Sequence, residues 1–279
     1  MKKTLLLLLL VFLANLFIIN AQAPAFKVEV TGKGSPVLFF PGFACSGEIW
    51  KETTKELSAR YECHTFTFAG FGGVAPITMP WLPEIKAQVM AYVNRLQLQQ
   101  PVLVGHSLGG TFALWMAAGQ TDRFKKVIVV DALPCSGALM VPNFKAADMV
   151  YDNPYSKQLL NMDSAAFRNM AKQQVSFMAL TKDKHQQLVD WIVTSDRKTY
   201  VYGYVDMLKL DLREDIANIK IPVVILAATH PDKAMIEKTY RSQYEKLPTV
   251  QFHYADKAAH YVMLDQPEWF NTKLKENLQ

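Results

Sequence analysis

One serine, between the glycines of Gly105-His-Ser-Leu-Gly109, has the residue types around it that nucleophilic chemistry requires. A hydroxyl is a weak nucleophile, so Ser107 can attack a carbonyl only if its Oγ is exposed and a base takes its proton. Gly-x-Ser-x-Gly meets the first need when a strand precedes it and a helix follows, because the serine then occupies a tight, strained turn above a sheet. Here the apolar Val102-Leu-Val precedes and a helical pattern over Leu108–Ala118 follows. Gly105 and Gly109 let neighbouring backbone crowd in, and Gly110 aids helix-strand packing. The free N–H groups at the start of that helix favour developing negative charge. The predicted chemistry is acyl transfer through a covalent serine intermediate.

Such a serine needs a particular scaffold, and the rest of the chain supplies its pattern. Short β-branched or aromatic runs predict strands at Lys27–Val30, Val37–Phe40, His64–Phe68, Val102–Val104, Val127–Val130, Val223–Leu226 and Val250–Tyr254. Amphipathic stretches predict helices at Glu48–Arg60, Pro83–Leu96, Leu108–Ala118, Lys233–Leu247 and Pro267–Leu278. This alternation, with runs as apolar as Val-Ile-Val-Val, indicates an α/β fold: a mostly parallel sheet with helices on both faces. Residues 133–208 break the pattern, holding helix formers and scattered methionines, and are expected to be an inserted helical cap. Residues 24–132 and 209–279 would form the core. Most of the cap methionines are expected to fill the cap's own interior, with one or two lining a pocket.

On the serine motif and this alternation the chain resembles the α/β-hydrolase family over nearly its whole mature length. The resemblance implies the α/β-hydrolase fold and the remaining parts of an acyl-transfer site. Its oxyanion donors would be the backbone N–H groups of Phe43, in Phe39-Phe-Pro-Gly-Phe43, and of Leu108. Pro41 stands where the family commonly has His, a departure that leaves a backbone donor intact. The resemblance assigns the general base to His260, in the segment after the last strand. His253, inside an apolar strand, is expected to be structural, and His106 to have a packing or backbone-orienting role. For the triad acid the family offers two places. Asp131 ends the strand Val127–Val130 and is favoured; Asp232 is the alternative, in Ala-Ala-Thr-His-Pro-Asp, which lacks the usual Gly-x-x-Asp.

The implied enzyme is an esterase-like serine hydrolase cleaving a small or medium, apolar carboxylic ester, with Phe43, Leu133 and Cys135 as substrate-binding residues. A thioesterase, acyltransferase or amidase would use the same triad, and a non-catalytic binding protein would keep only the fold. Neither a dinucleotide fingerprint nor metal-ligand spacing is visible, so no cofactor and no metal are expected. Of the formal charge of +5, Lys2 and Lys3 supply two, and the remaining +3 is too weak for nucleic-acid binding. Those lysines precede an apolar run, Leu5 to Ile19, which together read as a signal peptide over residues 1–23. The mature chain would then be exported to a periplasm or secreted, without stable membrane insertion; the run is short of the ~20 residues that span a bilayer. In an oxidising compartment Cys45 and Cys63 could pair, or all three cysteines could be buried as small apolar residues.

Overall fold

The computed structural model describes residues 23–247 and 249–279. The expected signal peptide lies outside them except for Ala23. Among the described residues seven strands form one sheet: β1 (Phe26–Thr31), β2 (Ser35–Phe40), β3 (Tyr61–Phe68), β4 (Val102–His106), β5 (Lys126–Val130), β6 (Val223–Ala227) and β7 (Val250–Tyr254). Their spatial order is β1-β3-β2-β4-β5-β6-β7. Only β1 is antiparallel, pairing with β3, and all other neighbours run parallel. Parallel strands need crossovers, which are helices α1 (Lys51–Leu57), α2 (Trp81–Arg95) and α3 (Leu108–Gly119), with α9 (Lys233–Gln243) between the last two strands. Two predicted helices prove shorter. The Glu48–Arg60 stretch opens as a 3-10 turn over Gly47–Trp50, and Lys233–Leu247 stops at Gln243.

Neighbouring residues of a strand point to opposite faces, and both faces of this sheet are covered. Phe39 packs on Trp50, which stacks on Phe270 of α11 (Pro267–Leu278), with ring centroids 5.5 and 6.1 Å apart. Phe40 turns the other way, against Phe112 of α3 at 5.1 Å. Burial on both sides explains why β4 and β5 are apolar without alternation.

Between β5 and β6 the chain builds α4 (Gly137–Met140), α5 (Pro154–Asn161), α6 (Ser164–Met178), α7 (His185–Thr194) and α8 (Arg197–Lys209). A buried carboxylate joins this layer to the core: Asp206 of α8 accepts the N–H groups of Trp81 and Leu82, at 2.7 and 3.1 Å, and so caps α2. Met149, Met162 and Met170 pack against the core, whereas Met140, Met178 and Met207 reach the cavity described below. The cysteines are buried and free, so the Cys45–Cys63 pair is not formed.

Register gathers chemistry at one edge. Phe40 sits beside Gly105, His106 beside Val130, and Val130 beside Leu226, so the segments after β2, β4, β5 and β6 leave the sheet together at its carboxyl end. Open α/β sheets bind ligands at this edge.

Candidate active site

Ser107 stands between β4 and α3 with φ 54° and ψ −122°, a conformation that costs a non-glycine residue about 1–3 kcal/mol. The turn is held by bonds on either side: Ser107 N–H donates to Val130 O at 2.9 Å, and Ser107 O accepts from Gly110 and Thr111. Its tightness explains the glycines. A Cβ on residue 105 would lie 2.0 Å from Gly109 O, and one on residue 109 would lie 2.4 Å from Phe40 O.

The loop after β2 closes over the serine from the other side. A Cβ on Gly42 would stand 2.7 Å from His106 Nδ1 and 3.4 Å from Ser107 Cβ. Phe43 therefore follows a residue that touches the serine, and Leu108 is the first residue of α3. Among the described residues neither backbone N–H has an acceptor, so both are available to a developing oxyanion.

Asp131 and His260 meet beside them. Asp131 Oδ2 accepts from His260 Nδ1 at 2.6 Å, while Oδ1 accepts from Ala228 N–H and the Tyr240 hydroxyl, each at 2.9 Å. Burial alone would raise the Asp131 pKa, but the bond and charge of His260, with the Ala228 and Tyr240 donors, hold it below its ordinary value. Tyr240 is pushed well up, first by burial and then by the Asp131 charge, so it stays a donor. The His260 ring therefore keeps its proton on Nδ1 and offers the lone pair of Nε2. Among the described residues Ser107 Oγ and the His260 ring are not hydrogen-bonded to each other; in such sites that contact often tightens only when substrate binds. Asp232 is elsewhere, exposed, accepting Met235 N–H at 2.9 Å as the N-cap of α9.

His106 packs beneath His260. It is fully buried; its Nε2 donates to His260 O at 2.9 Å, and the two rings lie 4.7 Å apart. Burial, then the neighbouring His260 charge, pulls its pKa to about 3, so the ring is neutral. His253 lies half-buried on β7 and does not line the cavity.

Ser107, Asp131 and His260 open into a cavity of about 420 Å³. Phe43 and Leu133 line it. Cys135 does not: its N–H and carbonyl are both bonded to the Gln243 amide, at 3.0 and 2.9 Å, and this anchorage to α9 keeps the residue fully buried outside the cavity. Further wall residues come from places that the sequence left unremarked: Gln174 of α6, Tyr200 and Tyr204 of α8, His230, and Ile236, Thr239 and Tyr240 of α9. The α9 group has the i, i+3, i+4 spacing of one helix face, a signal present in the sequence. Among the described residues no cluster of His, Cys, Asp and Glu could hold a metal ion.

The profile of the alpha/beta hydrolase family matches residues 37–273 of this chain, spanning every element of the site. The chain belongs to the alpha/beta hydrolase family. Among curated relatives of this α/β hydrolase, the pimeloyl-[acyl-carrier protein] methyl ester esterase of Aeromonas salmonicida is 24% identical over 260 residues, covering 88% of this chain and 95% of the relative. The 3-oxoadipate enol-lactonase 1 of Acinetobacter baylyi is 22% identical over 265 residues, 92% of this chain and 94% of the relative. Solved structures share the fold. A hydrolase from Oleispira antarctica superposes with a TM-score of 0.76 at 18% identity, covering 91% of this chain and 95% of its own. An esterase from Exiguobacterium antarcticum gives 0.76 at 17%, with the same coverage.

Proposed function

We propose that this α/β hydrolase, an enzyme acting on ester bonds, cleaves the carboxylic ester of a small or medium apolar acyl group through an acyl-enzyme on Ser107. The observation that carries the reading is the part-buried Asp131–His260 hydrogen bond, opening with Ser107 into one cavity. The names of the two relatives, an open-chain ester in one and a cyclic ester in the other, agree with it.

The steps follow from where protons sit. His260 Nε2 takes the Ser107 proton as Oγ bonds to the ester carbonyl carbon, and the imidazolium is steadied by Asp131. The N–H groups of Phe43 and Leu108 donate hydrogen bonds to the carbonyl oxygen as its negative charge develops. That oxyanion collapses, the C–O bond to the alcohol breaks, and His260 gives the alcohol its proton. Water then loses a proton to His260 as it bonds to the acyl carbon, the acyl–Oγ bond breaks to release the acid, and His260 returns the proton to Ser107 Oγ.

Substrate class rests on the cavity and its mouth. A volume of about 420 Å³ suits a small ligand. Four large apolar side chains of its lining are also exposed: Phe177 at 81%, Leu139 at 62%, Met235 at 57% and Met140 at 54%. Apolar surface left open at a cavity mouth marks a binding site. Lys2, Lys3 and the Leu5–Ile19 run support export of the mature enzyme.

Labelling with a fluorophosphonate followed by peptide mapping tests the chemistry: adduct on Ser107 and none in Ser107→Ala is expected. No adduct on folded protein would favour a binding protein on this fold. A series of p-nitrophenyl esters tests the pocket. Each methylene covered by the rim contributes about 0.8 kcal/mol, roughly fourfold in kcat/KM. The double variant Phe177→Ser, Met235→Ser should lose that gain for chains that reach the rim and keep wild-type rates on acetate. Equal losses on every chain length would refute the apolar-mouth reading.

A further inference from the structure

One carboxylate outside the reacting groups ties the cap to the loop that carries the base. Asp265 ends the short helix α10 (Val262–Asp265), just after His260. Its Oδ1 accepts the N–H groups of Leu180 and Thr181, both at 2.9 Å, and lies 2.8 Å from the Thr181 hydroxyl. Its Oδ2 accepts the N–H of Ala259 at 2.9 Å. Leu180 and Thr181 lie just past the C-terminus of α6, in the cap, whereas Ala259 immediately precedes His260. A parallel tie runs one step away, where Tyr261 N–H donates to Met178 O at 3.1 Å.

These bonds connect two parts of the site that the sequence separates by about eighty residues. The last turns of α6 carry Gln174, Phe177 and Met178 into the cavity wall. The loop from Ala259 to Tyr261 carries the general base, whose ring is aimed by Asp131 while its backbone is held by His106 and Asp265. We propose that Asp265 is a positioning residue that makes the placement of His260 depend on the seating of the cap, so that a displaced α6 terminus also displaces the base. This rests on the esterase reading above.

The chemistry of the link singles out a carboxylate. Both oxygens of Asp265 act only as acceptors, and donors face each of them. An asparagine would turn its NH2 toward either Ala259 N–H or the Leu180 and Thr181 pair, donor against donor, so Asp265→Asn breaks the link whichever way the amide lies. The link can also be weakened from the cap side alone. Thr181 has φ −77° and ψ 91°, and that φ suits proline, so Thr181→Pro keeps φ while deleting the N–H and the hydroxyl, two of the three cap-side donors to Asp265, and leaves that of Leu180. Neither Asp265 nor Thr181 lines the cavity.

The experiment compares wild type, Asp265→Asn and Thr181→Pro in three measurements: rate of Ser107 labelling by a fluorophosphonate, kcat and KM on p-nitrophenyl acetate, and Tm. Loss of alignment at a reacting centre costs roughly tenfold to a hundredfold in rate. Both variants are expected to lose about that much in labelling rate and in kcat, with KM nearly unchanged and the protein folded at the assay temperature. The proton of the Asp131–His260 hydrogen bond, followed by NMR, should broaden in both. Wild-type labelling and kcat in Thr181→Pro would overturn the proposal, reducing Asp265 to a local staple of its own loop. Should Asp265→Asn fail to fold, Thr181→Pro alone decides. If wild-type protein is not labelled, the esterase reading fails first, an outcome distinct from labelled wild type with an unaffected proline variant.

Discussion

Exchanging Asp131 for asparagine alters one atom and should silence the enzyme, for a reason that the surrounding donors make specific. The acid's Oδ1 is held by two donors, Ala228 N–H and the Tyr240 hydroxyl, both at 2.9 Å. In Asp131→Asn the amide oxygen must stay with them, since flipping it would set NH2 against two donors. The NH2 group then faces His260 Nδ1, which lies 2.6 Å from Oδ2 in the wild type. Nδ1 must become an acceptor, and the ring proton moves to Nε2, the nitrogen that should receive the Ser107 proton. The charge that steadies the imidazolium is lost as well. Two unit charges about 4 Å apart at an effective dielectric of about 20 interact by about 4 kcal/mol. Together with the wrong tautomer, the expected loss in kcat is about 10⁴-fold, or about 5.5 kcal/mol, as in serine proteases given the same exchange. The control is Asp232→Asn, because asparagine caps a helix as well as aspartate and α9 should keep its cap. The assay is kcat on p-nitrophenyl esters together with the rate of fluorophosphonate labelling, at matched Tm. An Asp131→Asn variant within tenfold of wild type, or a matching loss in Asp232→Asn, would refute the argument.

Two further outcomes separate strain and buried charge from chemistry. Ser107→Gly should abolish hydrolysis yet raise stability by about 1 kcal/mol, because relief of the φ 54° strain outweighs the entropy of an added glycine; a calorimetric Tm below that of wild type would contradict this. His106 sets an acid limit: its folded pKa, about 3, lies below the ordinary 6.5, so the unfolded chain binds the proton first. Stability should therefore fall as pH drops from about 6.5 toward 3, by up to about 1.4 kcal/mol per unit. Asp131, whose pKa is depressed from 3.8, adds its loss only below about 3.8, as the pH falls toward its lower folded value. Urea midpoints between pH 6.5 and 4 should thus flatten in His106→Gln, and an unchanged slope would show that His106 is not the group responsible.

Much of the fold was legible because its signals are local. Val127-Ile-Val-Val and its like declare buried parallel strands, and Gly105-His-Ser-Leu-Gly declares a tight strand-to-helix turn, since both depend on neighbours in the chain. The antiparallel sense of β1 was not legible, because a strand's direction is chosen by its partner. Sequence favoured Asp131 over Asp232 but kept both, as each follows a strand at the same edge of the sheet. The difference is three-dimensional: Asp131 meets the His260 ring, whereas Asp232 satisfies the first turn of the helix that it precedes.

The cavity divides in the same way. Phe43 and Leu133 reach it because loops at the carboxyl edge must open there, but Cys135, two residues beyond Leu133, is drawn aside by Gln243, more than a hundred residues away. Composition and spacing thus determined the tight turn at Ser107, the layers and the edge of the sheet where the loops gather. Which carboxylate meets His260, which side chains line the cavity and how the helices between β5 and β6 are tied to the His260 loop were decided only by tertiary contacts, because a hydrogen bond between distant residues leaves no periodicity in the chain.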